Sequence, residues 1–489
     1  MRSLRAIAAV VALAWAGVAT TAHAAPAQPC RVDGLAHEVL CGSVARALDP
    51  ARPDGPQIEV HYVVVPALAR RKLPDPVFLL AGGPGQSAIS LAPQVMGVFA
   101  RLNNRRDIVF VDQRGTGRSA PLDCDEPREA ALAESADPQA QLRRLAACRE
   151  RLLKLPYVRS ATDLGFFTTT LAMQDLDAVR QAIGAERINL VGASYGTRAG
   201  LEYQRQFPGA VRRSVLDGVA PPDMVLPASA AIDAQAALDA LFAACSAEAA
   251  CAREWPLLRQ AWDGLLASLP RAVSVPDPLT GRVESFTMTR ELLLGAVRAP
   301  LYVPTLAAAL PAAIHAASQG RFEALAALAG ALSRRGGPRL YTGMHFAVIC
   351  AEDAPRLATA GVAATRDFGD GLAPLYAQAC AGWPRGAVPE AFYQVGPAAT
   401  PVLLLSGGID PATPPRHAAR VAQALRAKAR HVIVPNAGHG LFGSGCVPDL
   451  LYRFIDAADD AQALALDTAC ITSIPRPGAF VPPAPEAAK

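Results

Sequence analysis

The residues best suited to chemistry are a serine, an aspartate and a histidine far apart in the chain. Ser194 stands in Gly192-Ala193-Ser194-Tyr195-Gly196, directly after the apolar run Ile188-Asn189-Leu190-Val191 and directly before a helical stretch that Pro208 stops. With 38 glycines in the chain, G-x-S-x-G alone is a weak signal. The flanking strand and helix make it specific, because a nucleophile elbow needs that context: the turn lifts the hydroxyl clear of a sheet and aims helix N-terminal N–H groups at the reacting oxygen. A hydroxyl is a poor nucleophile until a base takes its proton. His439, in Asn436-Ala437-Gly438-His439-Gly440 just past a strand, is the expected base, whereas His417 falls within a helix and His431 opens a strand. Asp410 ends Leu405-Ser406-Gly407-Gly408-Ile409-Asp410 and is expected to accept the His439 N–H and stabilise the imidazolium. Asp217, ending the strand after the elbow helix, is the rival acid; the order serine, acid, histidine favours Asp410. Ala81-Gly82-Gly83-Pro84-Gly85 fits half of an oxyanion hole, Gly83 donating one N–H and Tyr195 the other. No G-x-x-x-x-G-K-[ST] accompanies that loop, which argues against a phosphate cradle. The chemistry implied is acylation and deacylation of a serine, with no cofactor.

Regular elements must hold these residues. Ile58 to Pro66, Pro76 to Ala81, Asp107 to Asp112, Ile188 to Gly192 and Val211 to Val219 read as strands, and Thr168 to Gly184 as a helix with Ala172, Leu176, Val179 and Ile183 on one face. Strands alternating with helices mean a mostly parallel sheet covered on both faces. The rhythm breaks after Pro221-Pro222, where residues 225–395 are rich in Ala and Leu and read as helical. It returns with Pro401 to Ser406, a helix over Arg416 to Ala427 and the strand His431 to Pro435. The expected architecture is therefore an α/β body of residues 25–224 and 396–489, carrying a helical cap at 225–395 before the final strands. The tail from Pro475, rich in Pro and Ala, has order only through docking.

Several blocks carry a family resemblance. Ala81 to Ser87 (A-G-G-P-G-Q-S), Asp112 to Ser119 (D-Q-R-G-T-G-R-S), Gly192 to Thr197 (G-A-S-Y-G-T), Leu216 to Val219 (L-D-G-V), Cys350 to Asp353 (C-A-E-D) and Gly407 to Pro414 (G-G-I-D-P-A-T-P) occur in order over most of the chain. In these the chain resembles the secreted tripeptidyl aminopeptidases and their prolyl aminopeptidase relatives. The resemblance implies an α/β-hydrolase with a helical cap that removes short N-terminal units from peptides. Ala81 departs from the pattern, since prolyl aminopeptidases usually carry His before the glycines. Asp112 and Arg114 are expected to hold loops together. An enzyme selecting free N-termini needs a carboxylate for the ammonium group. Glu352 and Asp353 are the candidates, Glu352 first by resemblance. The same triad serves a carboxylesterase, and an inert binding protein on this scaffold is the reading from another class.

Compartment and partners follow from the remaining features. Arg2 and Arg5, the apolar Ala6 to Val18 and Ala22-His23-Ala24 form a signal peptide over residues 1–24, so export to a periplasm or the outside is expected. No later segment reads as long and apolar enough to cross a membrane. With 47 basic against 43 acidic residues, the charge balance argues against nucleic acid or an anionic membrane as partner. The ten cysteines are expected to pair with their sequence neighbours: Cys30 with Cys41, Cys124 with Cys148, Cys245 with Cys251, Cys350 with Cys380 and Cys446 with Cys470. No C-x-x-C or H-E-x-x-H suggests a metal site.

Overall fold

A computed structural model describes residues 27–124, 134, 137–278, 280–331, 339–361 and 364–481. The signal peptide expected at residues 1–24 lies outside the described residues. The strands are β1 (Gln28–Cys30), β2 (Val39–Ala47), β3 (Gln57–Val65), β4 (Val77–Leu80), β5 (Ile108–Val111), β6 (Ile188–Ala193), β7 (Val211–Asp217), β8 (Arg271–Pro276), β9 (Val283–Met288), β10 (Val402–Gly407) and β11 (Ala429–Val434). Nine of them form the sheet of the body, in the order β1-β2-β3-β5-β4-β6-β7-β10-β11. From β5 to β11 every neighbouring pair is parallel, and β1 to β3 join antiparallel at one edge. β4, β5 and β10 are buried at every position, as near-continuous apolar runs in a sheet covered on both sides require.

The period of two along the strands divides the core between the two faces. Phe78, Leu80, Val109, Val111 and Leu190 pack on one side with the helix Thr169–Ala182. Val77, Leu79, Ile108, Phe110, Val191 and Leu403 pack on the other, with the helices Ala88–Asn103 and Val447–Asp456. β1 and β2 were not anticipated. Val39 to Ala47 mixes Gly, Ser, Ala and Arg with its apolar residues and lies near an edge, mostly half-buried, so its local pattern carries little strand signal.

The inserted segment divides in its packing. Residues from Leu226 to Gly330 build a separate core around Leu238, Trp262, Leu293 and Ile314. The helix Thr342–Glu352 instead sends Met344, Ala347, Val348 and Cys350 into the core of the body. The cap is also not purely helical: β8 and β9 form an antiparallel hairpin. Only alternate residues of β8 (Val273 and Val275) are buried, so the signal is a short period-two stretch inside an Ala-rich background. The helix Leu226–Ala247 has a mean hydropathy of 1.2 and is long and apolar enough to cross a membrane, contrary to the sequence expectation. In the fold 56% of that window is buried, within the cap core.

Five disulfides form, and each joins a cysteine to its neighbour in sequence, the pairing anticipated from their order. Cys30 bonds to Cys41 and ties β1 to β2, and Cys124 bonds to Cys148 of the helix Pro138–Leu152. Cys245 bonds to Cys251 inside the cap core. Cys350 bonds to Cys380 and ties the helix Thr342–Glu352 to the helix Ala373–Ala381, while Cys446 bonds to Cys470 near the C-terminus. The tail docks on the cap. Ala479 N donates to Glu248 Oε2 at 3.0 Å and Phe480 N to Ala308 O at 2.8 Å.

Candidate active site

Ser194 follows β6 and caps the helix Tyr195–Gln206, with φ +55° and ψ −124°. A non-glycine residue in that region is strained and persists only where its surroundings over-determine it. Here they do. A Cβ on Gly192 would lie 2.5 Å from Gly196 O, and one on Gly196 would lie 2.1 Å from Leu80 O, so the turn closes only with glycine at both places. Ser194 N donates to Asp217 O at 2.8 Å, and Ser194 O accepts from Thr197 N and Thr197 Oγ1.

Asp410 and His439 stand past the ends of β10 and β11 and meet directly: His439 Nδ1 donates to Asp410 Oδ2 at 2.9 Å. Asp410 Oδ2 also accepts from Thr413 Oγ1 at 2.8 Å, while Oδ1 takes the Ala412 and Thr413 amides at 2.7 and 2.9 Å. Burial works against ionising Asp410, but the His439 charge and hydrogen bond with these amides outweigh it and hold the carboxyl down to about 2. Burial likewise disfavours the His439 cation, and Asp410, followed by Asp217, overcomes it, so His439 titrates above its ordinary range. With Nδ1–H committed to Asp410, Nε2 is left to act as base. The ring stands over the Ser194 side of the sheet: a Cβ on Gly218, next to the Asp217 that holds Ser194 N, would lie 3.3 Å from His439 Cε1.

The structure gives Asp217 a different task from the one weighed for it. Its Oδ2 accepts the Leu441 and Phe442 amides at 2.6 and 3.2 Å, fixing the loop that carries His439, and no hydrogen bond joins it to the imidazole. Burial pushes Asp217 up to about 7 despite those amides.

Gly82 lies against the nucleophile, and Gly83 follows it. A Cβ on Gly82 would be 3.2 Å from Ser194 Cβ, and Gly83 has φ +112°. The start of the helix Thr342–Glu352 and the residue before it hold this loop: Tyr341 N donates to Gly85 O at 2.8 Å, and His345 Nδ1 to Pro84 O at 3.1 Å. The Tyr195 amide, at the first helical position, has no intrahelical acceptor.

Glu352 and Asp353 do not stand open for a substrate ammonium. Both are about 1% exposed and already face a cation, Arg198 of the elbow helix. Arg198 contacts both oxygens of Asp353, at 2.9 and 3.2 Å, and Glu352 Oε2 at 3.4 Å. Glu352 Oε1 accepts the Thr169 amide at 2.7 Å, and Leu226 N donates to Asp353. Burial, against Arg198 and that amide, pushes Glu352 up to about 7. This cluster is a buried tie to the elbow helix, and in this arrangement neither carboxylate is open to a substrate ammonium.

Asp112 and Arg114 do hold loops. Asp112 accepts from Ser87 Oγ and Ile89 N, and Arg114 forks onto Asp175 while donating to Leu48 O and Phe166 O. His417 pairs with Asp233 of the cap, and His431 with Ser406 Oγ. Sequence reasoning missed Thr413, whose signal was the turn after Asp410. It also missed Tyr302, whose carbonyl accepts His439 N at 2.9 Å and whose ring lies edge-on to the imidazole at 5.1 Å. Tyr302 comes from the cap, 137 positions before His439, and no local pattern marks it.

Two family models match the chain: one described as alpha/beta hydrolase fold over residues 75–244, and one as TAP-like protein over residues 365–470. The tripeptidyl aminopeptidase of Streptomyces lividans is 33% identical over 204 residues, 40% of this chain and 38% of the relative. The serine protease Hip1 of Mycobacterium bovis is 31% identical over 214 residues, 40% of this chain and 39% of the relative. The chain thus spans less than two-fifths of the length of these relatives in the matched region. Among solved structures, naproxen esterase from Bacillus subtilis aligns over 86% of this chain and 92% of its own, with TM-score 0.36 and 14% identity. The sheet order and the first match agree on the α/β-hydrolase fold, and the C-terminal part of the chain matches the TAP-like model.

Proposed function

We propose that this chain is an exported serine peptidase that releases short N-terminal units from peptides through an acyl-enzyme on Ser194. The units are tripeptides, dipeptides or single residues. The observation that carries the reading is the strained Ser194 elbow beside the Asp410–His439 pair, in a chain related to a tripeptidyl aminopeptidase and a serine protease. Ser194 Oγ attacks the scissile carbonyl as His439 Nε2 takes its proton. His439 then gives that proton to the leaving amine, and water repeats the sequence to free the acid. Asp410 keeps the imidazole in the correct tautomer throughout. The N–H groups of Tyr195 and Gly83 receive the charge on the tetrahedral oxygen. Five disulfides suit an oxidising compartment outside the cytosol.

The test is hydrolysis of matched fluorogenic aminoacyl, dipeptidyl and tripeptidyl substrates, with free and with blocked N-termini, beside a simple ester. Turnover of free-amine peptides is expected, falling on the order of 10⁶-fold in Ser194→Ala, and the best length names the product. Ester turnover without peptide turnover would replace this reading by a carboxylesterase. One observation stands on that side: Arg198 already occupies the carboxylates that would have selected an ammonium group.

A further inference from the structure

We propose that Arg298 is the docking point for a carboxylate of the substrate, beside the Ser194–His439 centre. The inference rests on the hydrolytic reading of that centre and adds a charge requirement to it. Arg298 lies in the cap helix Arg290–Leu301, one turn before Tyr302. The end of this helix is fastened to the loop of the base. Tyr302 O accepts His439 N at 2.9 Å, a Cβ on Gly438 would lie 2.4 Å from the same oxygen, and the two rings meet edge-on. The Arg298 guanidinium sits 5.2 Å from the Tyr302 ring centroid and donates from Nη2 to Tyr302 Oη at 2.7 Å. One side chain therefore separates this cation from His439, and its charge is felt there.

Arg298 combines a missing anion with a place beside the base. Arg114 is matched with Asp175, Arg106 with Asp75 and Arg198 with Asp353. Arg213, buried without a carboxylate in contact, is spent instead on the carbonyls of Phe454, Ile455 and Ala457. Arg298 is half-buried, its Nε is buried without an acceptor, and no carboxylate among the described residues forms an ion pair with it. A half-buried guanidinium whose Nε is cut off from water, with only a phenol for partner, gains from an arriving anion. Its planar fork matches a carboxylate in two parallel hydrogen bonds. A peptide carries that group either as its C-terminus or as an acidic side chain. In either form it would span the short gap from Arg298 to the bond held between Ser194 and His439.

The experiment compares kcat/KM for paired substrates that differ only in charge. Free-amine tetra-alanine as acid and as C-terminal amide tests the terminus, and Asp or Glu against Asn or Gln next to the cleaved bond tests the side chain. 4-Acetoxybenzoate against its amide, and a monosuccinate aryl ester against its methyl ester, test the same contact without any peptide. Wild type should favour the charged member of at least one pair by about tenfold or more. The ratio should collapse towards one in Arg298→Met and return in part in Arg298→Lys, which restores a charge without the fork. Ratios near one throughout, or a preference that survives in Arg298→Met, overturn the assignment. If esters turn over and peptides do not, the peptidase reading fails while Arg298 is still judged on the ester pairs. If the methionine variant does not fold, N-acetylglutamate as an inhibitor of wild-type ester turnover decides: inhibition well beyond that by N-acetylglutamine supports the site, and equal inhibition rejects it.

Discussion

His439 owes its basicity to two aspartates with different duties. Asp410 holds Nδ1 and is ionised at any working pH, whereas Asp217 fixes the loop and acts on the imidazole only through its charge. Because Asp217 raises the His439 pKa, its neutralisation should lower it, so the uncharged base persists to more acidic pH. Asp217→Asn keeps an oxygen for the Leu441 and Phe442 amides. Its acid limb of kcat/KM should therefore move to lower pH, and an unmoved or raised limb would contradict this account. Glu352 gives a second residue-level expectation. Enclosed by Arg198 and Thr169, it is not free to meet a substrate ammonium in this arrangement, so Glu352→Gln should scale free-amine and ester turnover alike. Selective loss of free-amine peptides would return the ammonium role to it. Ser194, Asp410 and His439 were legible because each follows a strand in a recognisable turn. The state of Glu352 was not, because its cationic partner lies 154 positions away and is brought in only by packing.

Among the elements, the helix Thr342–Glu352 does most to shape the site without contributing to the triad. The residues leading into it hold the glycine loop beside Ser194 through Tyr341 N and the pairing of Gln86 with Leu340, and its first turn does so through His345. His345 Nδ1–H donates to Pro84 O and Nε2 accepts from Tyr376 Oη at 2.7 Å, an arrangement that needs the neutral ring; burial lowers its pKa accordingly. Loss of the Nδ1 donor should let the oxyanion loop drift and cost about 10²-fold in kcat, with KM little changed. His345→Leu should show that loss. His345→Asn, whose amide nitrogen can replace Nδ1, should recover most of it, while equal activity in both variants would leave the loop independent of the helix. The parallel strands were legible from their apolar runs, and the split of the inserted segment was not. Ala-rich helices look alike in sequence whether they face the cap core or the body, and only Met344, Val348 and Cys350 in place reveal which core they fill.

At the scale of the molecule, cap and body are joined by polar contacts and by the tail. Arg416 and His417 of the body both grip Asp233 of the cap, and Arg198 grips Asp353. None of the disulfides crosses between the helical core at Leu226–Gly330 and the body. Each cysteine is bonded to the next one along the chain, and the widest separation, from Cys350 to Cys380, is 30 residues. A chain threaded N-terminus first into an oxidising space thus reaches its native bonds if thiols are joined simply in order of emergence, with no earlier pair broken to make a later one. Because each pair closes a loop of 30 residues or fewer, local closure favours the native partner even in a fully reduced chain. Reduced protein refolded in a glutathione buffer should therefore regain ester turnover with little gain in yield from an added disulfide isomerase. A strong dependence on the isomerase would show that wrong pairings compete. Under the export proposed above, an oxidant alone would mature this protein, and the proofreading step that scrambled-order proteins demand can be absent.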